Sequence, residues 1–107
     1  MYRIGFTKAA LAEWKALDGS VREAFRKALK KRLENPHVPS SALMGSPHNC
    51  YKIKLQKAGY RLVYTVQDDV LVVIVLAVGK RERSKAYTLA IQRLLRSYDT
   101  ENDQVDV

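Results

Sequence analysis

The chain has 107 residues, 47% apolar and 28% charged, with 19 Lys+Arg against 11 Asp+Glu and a formal net charge of +8. That length favours one domain over two, and that composition excludes a wholly disordered chain and a collagen-like repeat. The longest apolar run, residues 70–78, is too short to cross a bilayer, and a single cysteine, Cys50, excludes an internal disulfide framework and a Cys-rich metal site.

Tyr2, Ile4 and Phe6 alternate with Arg3 and Gly5, which predicts a short first strand. Thr7 is placed to cap a helix running to about Leu17, with Ala10, Trp14 and Leu17 on one face and Leu11 beside them. After an Asp18-Gly19 turn, Ser20-Val21-Arg22-Glu23 reads as a capping box for a second helix ending near Glu34, before Asn35-Pro36. Its apolar stripe is Val21, Phe25, Ala28 or Leu29, and Leu33; its outer face carries Arg22, Arg26, Lys27, Lys30 and Lys31. Residues 36–49 hold all three prolines and both histidines, His37 and His48, and read as a surface loop. Three strands follow at 51–55, 60–66 and 70–78; their short connections demand an antiparallel meander. The third is apolar on both faces and so is expected to be central. Residues 79–83 leave the sheet, and Ser84 is placed to cap a last helix reaching about Arg96.

Residues 97–107 contain Asp99, Glu101, Asp103 and Asp106 and no basic residue. They read as an acidic, flexible tail outside a single domain at 1–96. Residues 1–96 alone carry 19 basic against 7 acidic residues, a net charge of +12. A surplus of that size predicts a polyanionic partner, although a basic surface that is merely well solvated accounts for it too. The low cysteine use fits a reducing cytoplasm, and no secretory leader pattern precedes the first strand. No membrane association is expected.

The first hairpin has a register that can be read from its pattern. A four-residue loop, 56–59, pairs Leu55 with Tyr60, Ile53 with Leu62 and Tyr51 with Tyr64, so that one face is apolar throughout. The opposite face then sets Lys54 against Arg61 and Lys52 against Val63. Like charges opposite one another oppose folding, and an anion between them relieves the repulsion. The exit of the third strand and the first turn of the last helix are expected at the same end, so that Lys52, Lys54, Arg61, Arg81 and Tyr87 line one phosphate-attracting surface. Each has a plainer explanation. Lys52 and Lys54 suit an edge strand that must avoid aggregation. Arg61 suits solvated surface. Arg81 and Arg83, like Lys80, suit a polar exit loop, and Tyr87 is at helical spacing with Ile91, Leu94 and Tyr98 and suits a core. The basic face of the second helix suits plain solvent exposure. No spacing of His, Cys, Asp and Glu suits a metal, and there is no Gly-rich phosphate loop, so neither metal nor cofactor is expected.

The segments Cys50-Tyr51-Lys52-Ile53-Lys54-Leu55, Gly59-Tyr60-Arg61-Leu62-Val63-Tyr64 and Val78-Gly79-Lys80-Arg81-Glu82-Arg83-Ser84, with Tyr87, closely resemble the RelE toxins of bacterial toxin–antitoxin pairs. Ala10-Leu11, Glu13-Trp14, Leu17 and Val21-Arg22-Glu23 add to the match, which covers roughly residues 1–95. The resemblance implies an α+β single domain of microbial-ribonuclease-like architecture, two N-terminal helices and one C-terminal helix packed on a mainly antiparallel sheet. It implies a metal-independent endoribonuclease that cleaves mRNA in the ribosomal A site and so stops translation. It also implies neutralisation by a RelB-like antitoxin, with operator DNA met only through the antitoxin complex. Lys52, Lys54, Arg61, Arg81 and Tyr87 match the family's active-site positions, and Arg83 a further basic position. The implied reaction is in-line attack of the 2′-OH on the adjacent phosphate, leaving a 2′,3′-cyclic phosphate and a 5′-OH.

That chemistry needs a base, an acid and stabilisation of a charged phosphorane. Tyr87 serves as base only if neighbouring cations lower its pKa from about 10. Arg81 is the acid by family analogy, but a guanidinium gives up its proton so reluctantly that a clamp on the phosphate and leaving oxygen suits it better. Lys52, Lys54 and Arg61 stabilise negative charge. A site this poor in acid–base groups gains from a ribosome that holds the codon ready for attack. Arg22, Arg26, Lys27, Lys30 and Lys31, with Lys80 and Arg83, are candidates for holding RNA phosphates. Two rivals are a gyrase-directed toxin of the same fold and a non-catalytic nucleic-acid-binding module.

Overall fold

The computed structural model describes residues 1–43, 49–80 and 100–101, the last two by their backbone. In chain order the elements are β1 (Arg3–Thr7), α1 (Lys8–Lys15), α2 (Gly19–Glu34), a 3-10 turn (Pro39–Ser41), β2 (Cys50–Leu55), β3 (Tyr60–Gln67), β4 (Val72–Lys80) and β5 (Thr100–Glu101). The expected third helix and tail, apart from residues 100–101, lie outside the described residues, as does His48.

Thr7 ends β1 and starts α1: its hydroxyl accepts the Ala10 N–H at 3.1 Å. The helix buries Ala10 and Trp14, and the Trp14 ring meets Phe6 of β1 at 5.4 Å between centroids. α2 buries Val21, Phe25, Leu29 and Leu33, the stripe its sequence spacing predicts. Its start differs from the expected capping box. The helix begins at Gly19, two residues early, so Ser20 falls inside the first turn, and the flanking Asp18 makes no side-chain cap. Glu23 pairs instead with Arg26 at 2.6 Å. The α1–α2 corner is closed by Arg22, whose guanidinium donates to the Leu17 carbonyl at 2.7 Å.

The strands form one sheet in the order β2-β3-β4-β1-β5. β2–β3 and β3–β4 are the expected antiparallel meander, while β1 lies parallel to β4 and β5 antiparallel to β1. β4 is therefore central. Between Val63 and Tyr64 of β3 the β4 register shifts by one, leaving an extra residue on β4. The shift turns both Leu76 and Ala77 away from the helices and returns Val78 to the helix side. Beyond the end of β1, Glu13 of α1 takes over the open edge of β4: its carboxylate accepts the Val78 N–H at 3.2 Å.

The main core lies between the helices and one sheet face, where Phe6, Trp14, Phe25, Leu29, Leu62, Val73 and Val75 are buried. Each large side chain there contributes about 1.5–3 kcal/mol by leaving water. Cys50, Val63, Ile74, Leu76 and Ala77 form a smaller buried cluster on the other face.

Polar groups pin the end of the sheet opposite the 56–59 turn. The buried Tyr64 hydroxyl donates to the Pro36 carbonyl and accepts from Arg32, both at 2.8 Å. Burial pushes its pKa up, and Arg32 opposes the rise. Tyr2 donates to Asp68 at 2.6 Å, and the His37 ring bridges Asp68 at 2.8 Å and the Tyr51 hydroxyl at 2.9 Å. The hydrogen bonds from Tyr2 and His37 hold the Asp68 carboxyl below its ordinary pKa.

The β3–β4 turn moves the start of β4 from the expected residue 70 to Val72. Val70 and Leu71 are half exposed in that turn, and Leu71 has a positive φ of 55°. An L-residue there costs about 1–2 kcal/mol, so Leu71→Asn, which tolerates the conformation and removes an exposed apolar chain, is expected to raise the thermal midpoint by a few degrees in a melting experiment. The Asp68 network gives a second expectation. As pH falls, the unfolded chain takes up a proton at Asp68 first, so the contribution is complete above pH 3.8 and is lost as pH drops through the lower folded value. The stability difference between the parent and Asp68→Asn, followed by urea denaturation, should therefore shrink as pH falls below about 4.

Candidate active site

The β2–β3 register is the one the pattern predicts: Leu55 opposite Tyr60, Lys54 opposite Arg61, Ile53 opposite Leu62, Lys52 opposite Val63 and Tyr51 opposite Tyr64. Side chains alternate across a strand. Ile53, Leu62 and Tyr64 enter the main core with Tyr51, Leu55 and Tyr60 packed against it, which commits Lys52, Lys54 and Arg61 to the far face. Lys54 is exposed; Lys52 and Arg61 are half-buried. Directly opposite residues place their Cβ atoms about 4.5–5.5 Å apart, so three cationic side chains leave one small patch of sheet. Its floor is apolar: Val63, opposite Lys52, is fully buried with Leu76 and Ala77. Low-dielectric ground under converging positive charge strengthens attraction for an anion.

The β3–β4 register sets Arg61 opposite Gly79 and Tyr60 opposite Lys80. The far end of β4 therefore lies next to the 56–59 turn, as expected. Gly79 presents no side chain to the Arg61 side. Lys80 shares the helix-side face with Tyr60, so it does not join the lysine–arginine patch. Arg81, Arg83 and Tyr87 lie outside the described residues.

The basic residues of α2 are on the other side of the molecule. Lys27, Lys30 and Lys31 are exposed on the helix face away from the sheet, while the patch opens on the sheet face away from the helices. They form a second positive surface, not an extension of the first. Arg22 and Arg26 are half-buried, Arg22 being spent on the α1 carbonyl and Arg26 on Glu23. His37 belongs to the Asp68 network at the opposite end of the sheet.

One feature escapes a strand-by-strand reading. A groove of about 520 Å³ runs between the first turns of α2 and the 56–59 turn, floored by Val21, Ala24, Leu55 and Ala58, with Lys54 and Lys57 among its lining residues. The signal in sequence is slight: a lysine in the hairpin turn and an alanine on the second helix where a larger residue would fill the gap. Among the described residues no group of three or more His, Cys, Asp or Glu is placed to hold a metal ion. No described helix is long and apolar enough to cross a membrane.

A family model described as the ParE toxin of the type II toxin–antitoxin system parDE matches residues 4–85. The mRNA interferase toxin RelE of Escherichia coli (strain K12) is 49% identical over 94 residues, 88% of this chain and 98% of that protein. This chain belongs to the RelE toxin family. Solved structures agree. A double-arginine variant of E. coli RelE in the free state has a TM-score of 0.80 and 46% identity, covering 87% of this chain and 97% of that one. The intact E. coli RelBE toxin–antitoxin complex contains a chain with a TM-score of 0.74 and 48% identity, covering 78% of this chain and all of that one. The resemblance read from the YKIKL and GKRERS segments and the α+β architecture are both borne out.

In this RelE-family chain Lys54 and Arg61 stand directly opposite one another on the ladder. Lys54→Glu is expected to place opposite charges across the ladder, raising the thermal midpoint by roughly 1–4 °C. The same change should weaken binding to a short single-stranded RNA several-fold in a fluorescence anisotropy titration. A loss of both stability and binding would mean that Lys54 mainly holds the strand.

Proposed function

We propose that this chain is the toxin of a RelBE-type toxin–antitoxin pair, a metal-independent endoribonuclease that cleaves mRNA in the ribosomal A site and so arrests translation. The observation that carries the reading is the cluster of Lys52, Lys54 and Arg61 on one sheet face, in a chain 49% identical to an mRNA interferase. Three cations over an apolar floor suit a scissile phosphate, whose in-line transition state gains negative charge. They supply no strong base. The proton-transfer roles fall to Tyr87, as phenolate, and to Arg81, as acid or as clamp on the leaving oxygen, with Arg83 adding positive charge.

The catalytic domain spans residues 1–96, followed by an acidic segment at 97–107. Lys27, Lys30 and Lys31, with a contribution from Lys80, hold ribosomal RNA phosphates from the helix side, so that the protein is gripped on one surface while it cuts with the other. The partner that silences it is a RelB-like antitoxin; the RelBE complex supports this by likeness. Operator DNA is met only through that complex, and the protein acts in the cytoplasm.

The test is to mix the purified protein with ribosomes stalled on a defined message and to map cut sites by primer extension, with Arg81→Ala and Tyr87→Phe in parallel. Cleavage in the A-site codon, falling by at least a hundredfold in each variant, is the expected result. Equal cutting of naked RNA would overturn the ribosome dependence, and cutting that survives both variants would overturn the residue assignment. No cutting by the parent, with inhibition of gyrase in a supercoiling assay, would replace the reading with the gyrase-directed one suggested by the ParE description of the matched family.

A further inference from the structure

β1 would end the sheet if nothing lay beside it, because its other neighbour is the central strand β4. Its sequence, RIGFT, has none of the lysines or prolines that usually protect an exposed strand edge. The edge is covered by the chain itself: Thr100 pairs with Thr7 and Glu101 with Phe6, antiparallel, and α1 also lies against β5. The residues that do this come from the acidic stretch. Asp99 precedes the pair, and Asp103 and Asp106 follow within five positions of Glu101. Of these four acidic residues the strand pairing includes Glu101, and the other three are within five positions of it in sequence. Together the four offset a charge of +12 on residues 1–96, bringing the whole chain to +8. The match to E. coli RelE takes in 94 of the 107 residues and 98% of that protein, so this chain is the longer of the two.

We propose that the acidic C-terminal segment is an intramolecular strap: Thr100–Glu101 completes the sheet at its β1 edge, and the acidic residues joined to that pair in sequence weaken the basic domain's hold on RNA. The proposal rests on the RNA-directed reading for its second half only. A tethered polyanion competes at high local concentration with a nucleic-acid backbone, and the competition fades as salt screens both.

The test uses the full chain. One variant, T100P/E101P, removes both backbone donors of β5, with Glu101→Gln as its charge control. A second, D99N/E101Q/D103N/D106N, keeps the strand and removes the charge. Hydrogen exchange should show faster exchange at Phe6, whose N–H faces β5, in the proline variant alone. Affinity for a labelled single-stranded RNA at about 50 mM salt should rise roughly three- to tenfold in the neutralised variant, and the gain should vanish near 0.5 M salt. The proline variant should recover part of that gain relative to its control. Unchanged exchange at Phe6 would overturn the strap. Unchanged affinity in the neutralised variant would overturn its effect on RNA. Loss of RNA binding by every form would instead overturn the ribonuclease reading, with the exchange data still deciding whether the strap exists.

Discussion

The β2–β3 ladder divides the molecule into a side that holds it together and a side that meets charge. Because side chains alternate with period two, fixing Ile53 against Leu62 and Tyr51 against Tyr64 in the main core leaves Lys52, Lys54 and Arg61 only one direction to point. A slip of β2 by one residue would send Lys52 and Lys54 to the core side and turn Tyr51, Ile53 and Leu55 away from it. The apolar face therefore sets the position of the charged one. The same hydrophobic burial that stabilises the fold concentrates positive charge over Val63 and its neighbours.

The central strand extends this division. β4 is covered on both faces, by the helices on one side and within the smaller Cys50–Val63–Leu76 cluster on the other. Its extra residue opposite the Val63/Tyr64 step reverses the alternation, so that Leu76 and Ala77 both support the charged face before Val78 returns to the main core. Bulges of this kind re-aim strand ends near functional surfaces. Here the effect is to bring Gly79, which has no side chain, beside Arg61 and to turn Lys80 the other way.

Much of this was legible in the sequence because it rests on period and type. The hairpin register followed from six apolar positions at spacing two, the Thr7 cap from a hydroxyl before an apolar run, and the central place of β4 from the absence of a polar face. Other features turn on local balances that a pattern does not record. Ser20 and Glu23 fit a capping box, yet Glu23 gains more from Arg26, and Arg22 reaches the carbonyls that end α1. Nothing in Val70 and Leu71 distinguishes turn from strand; the pairing of β1 with β4 draws the line, through the Arg3 N–H to the Leu71 carbonyl at 2.9 Å. The separation of the α2 lysines from the sheet patch depends on which side of the sheet the helices take. Strand topology alone suggested Arg81 and Tyr87 beside the lysine–arginine patch; the family resemblance added Arg83 and the catalytic roles.

The parallel pairing of β1 with β4 joins residues 3–6 to residues 72–75, across most of the described chain. During synthesis the first strand to be made has no β4 partner until the last strand of the meander has emerged. Helices α1 and α2 can form early from local contacts, but their apolar stripes stay partly uncovered until the sheet is in place. The β2–β3 hairpin that carries the charged patch is a local pairing, but its apolar face gains its full set of core partners only when β4 has joined it to β1.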